Sequence, residues 1–137
     1  MKYNELIKED INFDLLNIQT TKGGVPNILS IDKVIQKMDA STEGRINLQA
    51  IRQKLIANGN DTAVLIKIPA AQLNGYQDAD VDLNYANINK GEVIIDSDMN
   101  IIDGRHRVAL AASKGESVLA YMPVKLADLL LWYKQKK

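Results

Sequence analysis

The strongest constraint on the fold lies between residues 92 and 124, where short β-branched runs alternate with one alanine-rich run. Residues 92–95 and 100–102 are largely apolar and flank the polar segment 96–99, a pattern that predicts a β-hairpin. A helix is expected from Arg105 to about Ser113, followed by a strand over residues 117–124. Strands and helices interleaved in this way predict an α+β fold, with a small mixed sheet, a hairpin and packed helices.

The N-terminal half and the C-terminus add further expected elements. Residues 1–20 leave helix versus strand open, residues 22–26 are expected to form a turn, and residues 70–91 read as an irregular insertion or binding loop. Thr62 to Ile68 should form a buried strand that ends at Pro69. Three more helices are expected. The first is capped by Ser30 and buries Ile31, Val34, Ile35 and Met38. The second runs from after Ser41-Thr42 to about Ala57, is stopped by Asn58-Gly59, and buries Ile46, Leu48, Ile51, Leu55 and Ile56. The third lies at the C-terminus and buries Leu126, Leu129, Leu130 and Tyr133.

Composition limits the classes of function. The 137 residues are enough for one domain with its own core, so we treat 1–137 as a single domain. There is no cysteine, which excludes disulfides, a cysteine-based zinc site and thiol chemistry. Basic and acidic residues number 17 each, a balance that argues against non-specific DNA packaging. Without a signal-peptide pattern or a membrane-length apolar run, the expected location is the cytoplasm, away from membranes.

The sequence Asp103-Gly104-Arg105-His106-Arg107 is the candidate functional segment. It places a glycine turn between a strand and a helix and puts two arginines and the sole histidine in the first helical turn. Cations are unfavourable there, because a helix N-terminus already carries unpaired N–H groups and partial positive charge. A bound phosphate would resolve this conflict. The alternative is that Arg107 or His106 pairs with a neighbouring carboxylate, for which the candidates are Asp103, Asp96, Asp98 and Glu92.

This segment, followed by an alanine-rich helix, Gly115 and a strand ending in Met122-Pro123-Val124, resembles the ParB/sulfiredoxin-like superfamily. The resemblance covers residues 92–124 and extends more weakly to 51–68, whereas 1–45 and 70–90 have no counterpart. It implies that ATP, ADP or CTP binds, with Mg²⁺ brought in by the nucleotide. Neither zinc nor haem is expected as a cofactor. Because the motif holds no cysteine, reduction of a sulfinic acid is excluded.

Carried over by residue, the resemblance makes Gly104 the glycine of the phosphate loop. Arg105 and His106 would contact phosphates, and Arg107 matches the superfamily's arginine at that place. Asp103 and His106 are the catalytic candidates, with Asp103 as acid/base or as a carboxylate for Mg²⁺ that arrives with the nucleotide. Lys67 is a weaker phosphate candidate, and its other interpretation is an exposed lysine on a strand.

The acidic stretch between Tyr76 and Asp103 superficially suggests calcium. It fails the calcium-loop template, because Leu83 and Asn89 stand where glycine and glutamate are required after Asp78. A solvated acidic loop is therefore expected, and the alternative is that one carboxylate helps to hold Mg²⁺ with a nucleotide.

Two functions remain open from the sequence. The first is a nucleotide-binding domain, with hydrolysis, phosphate transfer or nucleic-acid cleavage all undecided. The second is a non-enzymatic binding or inhibitor module from a mobile element, whose basic turn grips nucleic acid or an acidic protein.

Overall fold

The computed structural model describes residues 11–42, 47–77 and 91–136. The described part holds six strands and four α-helices, which confirms the α+β prediction. The strands are β1 (Asn17–Ile18), β2 (Ile28–Ser30), β3 (Thr62–Pro69), β4 (Val93–Ile95), β5 (Ile101–Asp103) and β6 (Ser117–Val124). The helices are α1 (Ile31–Thr42), α2 (Leu48–Ile56), α3 (Arg105–Ser113) and α4 (Leu126–Lys136), and single 3₁₀ turns span Phe13–Leu15, Ala57–Gly59 and Ala70–Gln72.

The sheet is built around the long antiparallel pair of β3 and β6, which are in register from Thr62 opposite Val124 to Pro69 opposite Ser117. On the far side of β3, β1 and β2 pair with different parts of the strand. On the far side of β6, β4 runs parallel to it, and β5 is antiparallel to β4. The sheet is therefore mixed, with the hairpin of β4 and β5 at one side.

Two apolar clusters cover opposite faces of this sheet, because successive residues of a strand point to opposite sides. On one face, α1 and α2 pack against Ala63, Leu65 and Tyr121. On the other face, α3 and α4 pack through Val108 and Leu129 against Val64, Ile66, Val93 and Met122. The core thus lies in two layers with the sheet between them.

The predicted boundaries of α3 and β6 are confirmed, and so is the cap of α1, where the Ser30 hydroxyl accepts a hydrogen bond from the Lys33 N–H at 3.2 Å. The predicted start of the second helix is wrong. Ser41 and Thr42 continue α1, and α2 begins at Leu48, where the Asn47 side chain accepts from the Ala50 N–H at 3.2 Å. Ser41 and Thr42 are residue types that often cap helices, but an N-cap residue also needs a non-helical backbone. Asn47 has such a backbone.

Two residues predicted to be buried are exposed. Ile56 lies at the end of α2 and is 36% exposed, and Leu130 is 43% exposed. On α4, Leu129 and Trp132 face the core, and the Trp132 ring lies 5.8 Å from the ring of Phe13. The buried face of α4 therefore does not include Leu130. The prediction for Ile46 and those for the acidic residues Asp78, Asp80 and Asp82 lie outside the described residues.

Three further residues predicted to be buried, Leu48, Leu126 and Tyr133, are half-buried, and the short strand β2 was not predicted. Of the predicted loop over residues 70–91, residues 78–90 lie outside the described part of the protein. The predicted turn is present. The turn at 22–26 is closed by a hydrogen bond from the Thr21 N–H to the Val25 carbonyl at 2.8 Å. Of the segment 1–20, left open from the sequence, the structure describes residues 11–20, which form a 3₁₀ turn and then β1. In the part of the protein that the structure describes, no helix has the length and apolar character needed to cross a membrane.

Candidate functional site: the glycine turn before the alanine-rich helix

Gly104 occupies the junction between β5 and α3 in a conformation that favours glycine. Its φ of 103° and ψ of 25° are left-handed, and it stands at the N-cap without a side chain to bond the first helical N–H groups. A Cβ at this position would lie 2.8 Å from Arg107 Nη2 and 3.2 Å from Val93 Cγ2. The backbone angle therefore favours glycine, and any side chain here would displace the Arg107 guanidinium and crowd Val93.

Arg107 folds back over this glycine instead of extending into solvent. Its Nη2 donates to the Glu92 carbonyl at 3.3 Å and lies 3.9 Å from Asp103 Oδ2, with the side chain 18% exposed. The sequence alternative of a protein partner for Arg107 is thus seen, although the closer oxygen is a backbone carbonyl. The contacts tie the first turn of α3 to the residue that precedes β4.

Arg105 and His106 take different positions in the same turn. Arg105 is exposed, His106 is half-buried, and the first turn of α3 holds no acidic residue. A helix usually gains from acidic residues there, because they balance the positive end of its dipole. The turn therefore presents positive charge toward solvent at Arg105.

Glu92 links the turn to the opposite layer of the protein. While its carbonyl accepts from Arg107, its carboxylate lies 3.4 Å from Lys37 Nζ on α1. Burial raises the pKa of the nearby Tyr121 hydroxyl above its usual value of 10.0, and the negative charge of Glu92 raises it further. Sequence reasoning missed Lys37 and Tyr121, because only the packing of α1 on the sheet and the pairing of β4 with β6 place them beside Glu92.

The carboxylate of Asp96 in the hairpin turn accepts its hydrogen bonds from residues of the same turn. Asp96 Oδ1 accepts from the N–H groups of Asp98 at 2.8 Å and Asn100 at 2.9 Å, and Oδ2 accepts from the Asn100 side chain at 3.1 Å. These bonds form the turn between β4 and β5, so the carboxylate of Asp96 has a structural role. Among residues 11–42, 47–77 and 91–136, no group of three or more histidine or acidic side chains is placed to hold a metal ion.

Lys67 does not join the glycine turn. It lies on β3, and three strand spacings, about 14 Å in all, separate β3 from β5 across the sheet. Lys67 instead lines an open groove of about 620 Å³ together with Ile66, Met99 and Met122. The structure thus brings together Asp103, Gly104, Arg105, His106 and Arg107, and leaves Lys67 apart.

No protein-family model, curated protein or solved structure matches this protein. Any function for the site must therefore be argued from the residues themselves.

Proposed function

We propose that the protein binds the phosphate groups of a nucleotide, ATP, ADP or CTP, at the turn formed by residues 103–107. One observation carries the proposal: α3 begins at a left-handed glycine that offers no capping side chain, has no acid in its first turn, and exposes Arg105 there. This arrangement is unfavourable for the helix alone and favourable for a helix that holds an anion.

The backbone supplies the first part of the phosphate site. The leading N–H groups of an α-helix have no intrahelical acceptor, and Gly104 has no side chain to accept from them. The lack of a Cβ at this position leaves room for the Arg107 guanidinium close to the backbone of the turn. Arg105 adds a charged guanidinium, which bonds phosphate oxygens more strongly than a neutral donor does.

Arg107 supports the site from beneath. Its bond to the Glu92 carbonyl holds the turn against the start of β4, and its charge adds to the positive potential near Gly104. In this proposal Arg105 and His106 contact the phosphates, and Arg107 acts by positioning the turn.

Among the residues that the structure describes, Asp103 is the carboxylate within the turn that suits a nucleotide-bound Mg²⁺. Such ions commonly use one or two protein carboxylates together with phosphate oxygens. Asp103 is 25% exposed and lies at the end of β5, next to the proposed phosphate position. We assign to Asp103 this ligand role or that of acid/base, and to His106 a proton-transfer role if the phosphate is hydrolysed or transferred. The strand–turn–helix–strand order of β5, α3 and β6 is also the order on which the proposed ParB/sulfiredoxin-like relationship rests.

Isothermal titration with ATP, ADP and CTP, each with Mg²⁺, tests the proposal. Arg105→Ala should weaken binding by roughly tenfold or more, because a charge-assisted hydrogen bond is lost. Lys114→Ala is the matched control, since it removes an exposed cation at the opposite end of the same helix and should leave the affinity unchanged.

Two outcomes would overturn the proposal. One is the failure of all three nucleotides to bind the wild-type protein. The other is equal affinity of Arg105→Ala and wild type. Either result would favour the alternative function, a binding module whose basic turn contacts nucleic acid or an acidic protein.

A further inference from the structure

The sequence contains two Asn-Gly pairs, Asn58-Gly59 and Asn74-Gly75, which differ in the hydrogen bonds that they make in the structure. An asparagine before glycine is chemically labile, because the following nitrogen is not shielded by a Cβ and can reach the side-chain amide. All four residues are exposed, so exposure does not distinguish the pairs. Their hydrogen bonds do.

We propose that Asn58 is a site of spontaneous deamidation, and that the fold protects Asn74 from the same reaction. The proposal rests on local geometry and is independent of nucleotide binding. The reactive pair lies in the turn between α2 and β3, and the protected pair lies between the 3₁₀ turn 70–72 and the β4–β5 hairpin.

The turn at Asn58 is held by local interactions. Ala57–Gly59 is a single 3₁₀ turn whose closing bond, from the Asn60 N–H to the Ala57 carbonyl, is 3.3 Å long. Within it, Asn58 has φ of 64° and Gly59 has φ of 80°, so the turn does not continue as a regular helix. Short 3₁₀ turns have poor hydrogen-bond geometry, and the bond that closes this one joins residues only three apart in the sequence.

Asn74 is held by bonds to distant parts of the sequence. Its N–H donates to the Met99 carbonyl at 2.9 Å, and its carbonyl accepts from the Ile101 N–H at 3.0 Å. Its side-chain nitrogen, which would be the leaving group, donates to the Asp98 carbonyl at 3.4 Å. The attacking nitrogen of Gly75 is also engaged, because its N–H donates to Gln77 Oε1 at 3.2 Å.

A positive charge lies close to Gly59, the glycine of the reactive pair. A Cβ placed on Gly59 would be 3.3 Å from Lys125 Cε and 4.0 Å from Lys125 Nζ, so the ammonium group lies over this glycine. Negative charge develops on the Gly59 nitrogen as it loses its proton, and a cation close to this glycine stabilises that charge.

The reaction needs only water and a base such as hydroxide. The base removes the N–H proton of Gly59, the nitrogen attacks Cγ of Asn58, and a new C–N bond closes a succinimide ring. The side-chain nitrogen takes a proton from water and leaves as ammonia. Water then breaks one of the two ring C–N bonds, which gives aspartate if the Cγ–N bond breaks and isoaspartate if the original peptide bond breaks.

The test is to age the full-length protein in mildly alkaline buffer and map its peptides by mass spectrometry. Trypsin places the two pairs on separate peptides, 55–67 and 68–90, so each rate is measured in the same sample. We expect Asn58 to convert at least roughly tenfold faster than Asn74, because Asn74 must first lose several hydrogen bonds. In urea, where the fold is absent, the two rates should become similar.

Two variants examine the cause. Lys125→Met should slow conversion of Asn58 roughly twofold to fivefold, since the stabilising charge is lost. Lys33→Met, which removes an exposed lysine on α1, is the control and should leave the rate unchanged. Equal rates of Asn58 and Asn74 in the folded protein, or a faster rate at Asn74, would overturn the proposal. An unchanged rate in Lys125→Met would overturn the role of Lys125.

Discussion

Replacing Gly104 by alanine separates the two reasons for which a glycine stands before α3. The first reason is the backbone angle, because φ of 103° is strained for any residue with a Cβ. The second is Arg107, whose Nη2 would lie 2.8 Å from the new methyl group. The guanidinium is the end of a flexible side chain and can move, so the cost is set by the contacts that it leaves.

The expected loss in the free energy of unfolding is the sum of two costs. Strain at the backbone costs about 1–3 kcal/mol. Displacing Arg107 from the Glu92 carbonyl costs about a further 1–2 kcal/mol, the value for a hydrogen bond from a charged donor reduced for partial exposure. We therefore expect Gly104→Ala to lower the free energy of unfolding by about 2–5 kcal/mol in total.

Urea denaturation measures this change, and Gly115 provides the control. Gly115 follows α3 at its other end with φ of 69°, and a Cβ there would meet no atom within 4 Å. Gly115→Ala should therefore show only a backbone cost of about 1 kcal/mol. In an Arg107→Met background, Gly104→Ala should cost about 1–2 kcal/mol less than in the wild type, because the contact is already absent.

The reasoning would be refuted by either of two results. Equal losses of stability for Gly104→Ala and Gly115→Ala would show that close approach of Arg107 contributes nothing. A cost of Gly104→Ala that is unchanged by Arg107→Met would show that the two residues are not coupled.

Two further predictions concern α4. Hydrogen bonds from Lys136 and then Trp132 lower the pKa of Asp14 below its usual 3.8, so its contribution to stability is complete above that pH and is lost as the pH falls through the lowered value. The stability difference between wild type and Asp14→Asn, measured by urea denaturation, should thus shrink on acidification. Leu129→Ala should lower the free energy of unfolding by about 2–5 kcal/mol because Leu129 is fully buried, whereas Leu130→Ala should change it by less than about 0.5 kcal/mol.

Each of these two predictions would be contradicted by a specific result. A difference between wild type and Asp14→Asn that stays constant below pH 3.8 would contradict the proposed stabilisation by the ionised carboxylate. Similar losses for Leu129→Ala and Leu130→Ala would contradict the assigned orientation of α4.

Much of the fold near the candidate site could be predicted, because the local signals there agree. Gly104, the alanines of α3 and Lys114-Gly115 indicated the helix from Arg105 to Ser113, and the largely apolar run after Gly115 indicated β6. The start of α2 could not be predicted in the same way. Ser41, Thr42 and Asn47 are all good caps by residue type, and only the backbone conformation decides which one acts.

Local pattern alone therefore determined the order of elements from β4 to α4, the glycine turn and the basic first turn of α3, since hydrophobic period, capping and turn chemistry act over a few residues. Tertiary structure alone decided where Arg107 points, which groups meet Glu92, and that Lys67 is distant from the turn. Those relationships depend on strand pairing and on helices packing across a sheet. Lys37 and Glu92 are 55 residues apart in the sequence and 3.4 Å apart in space, a contact that only the complete fold creates.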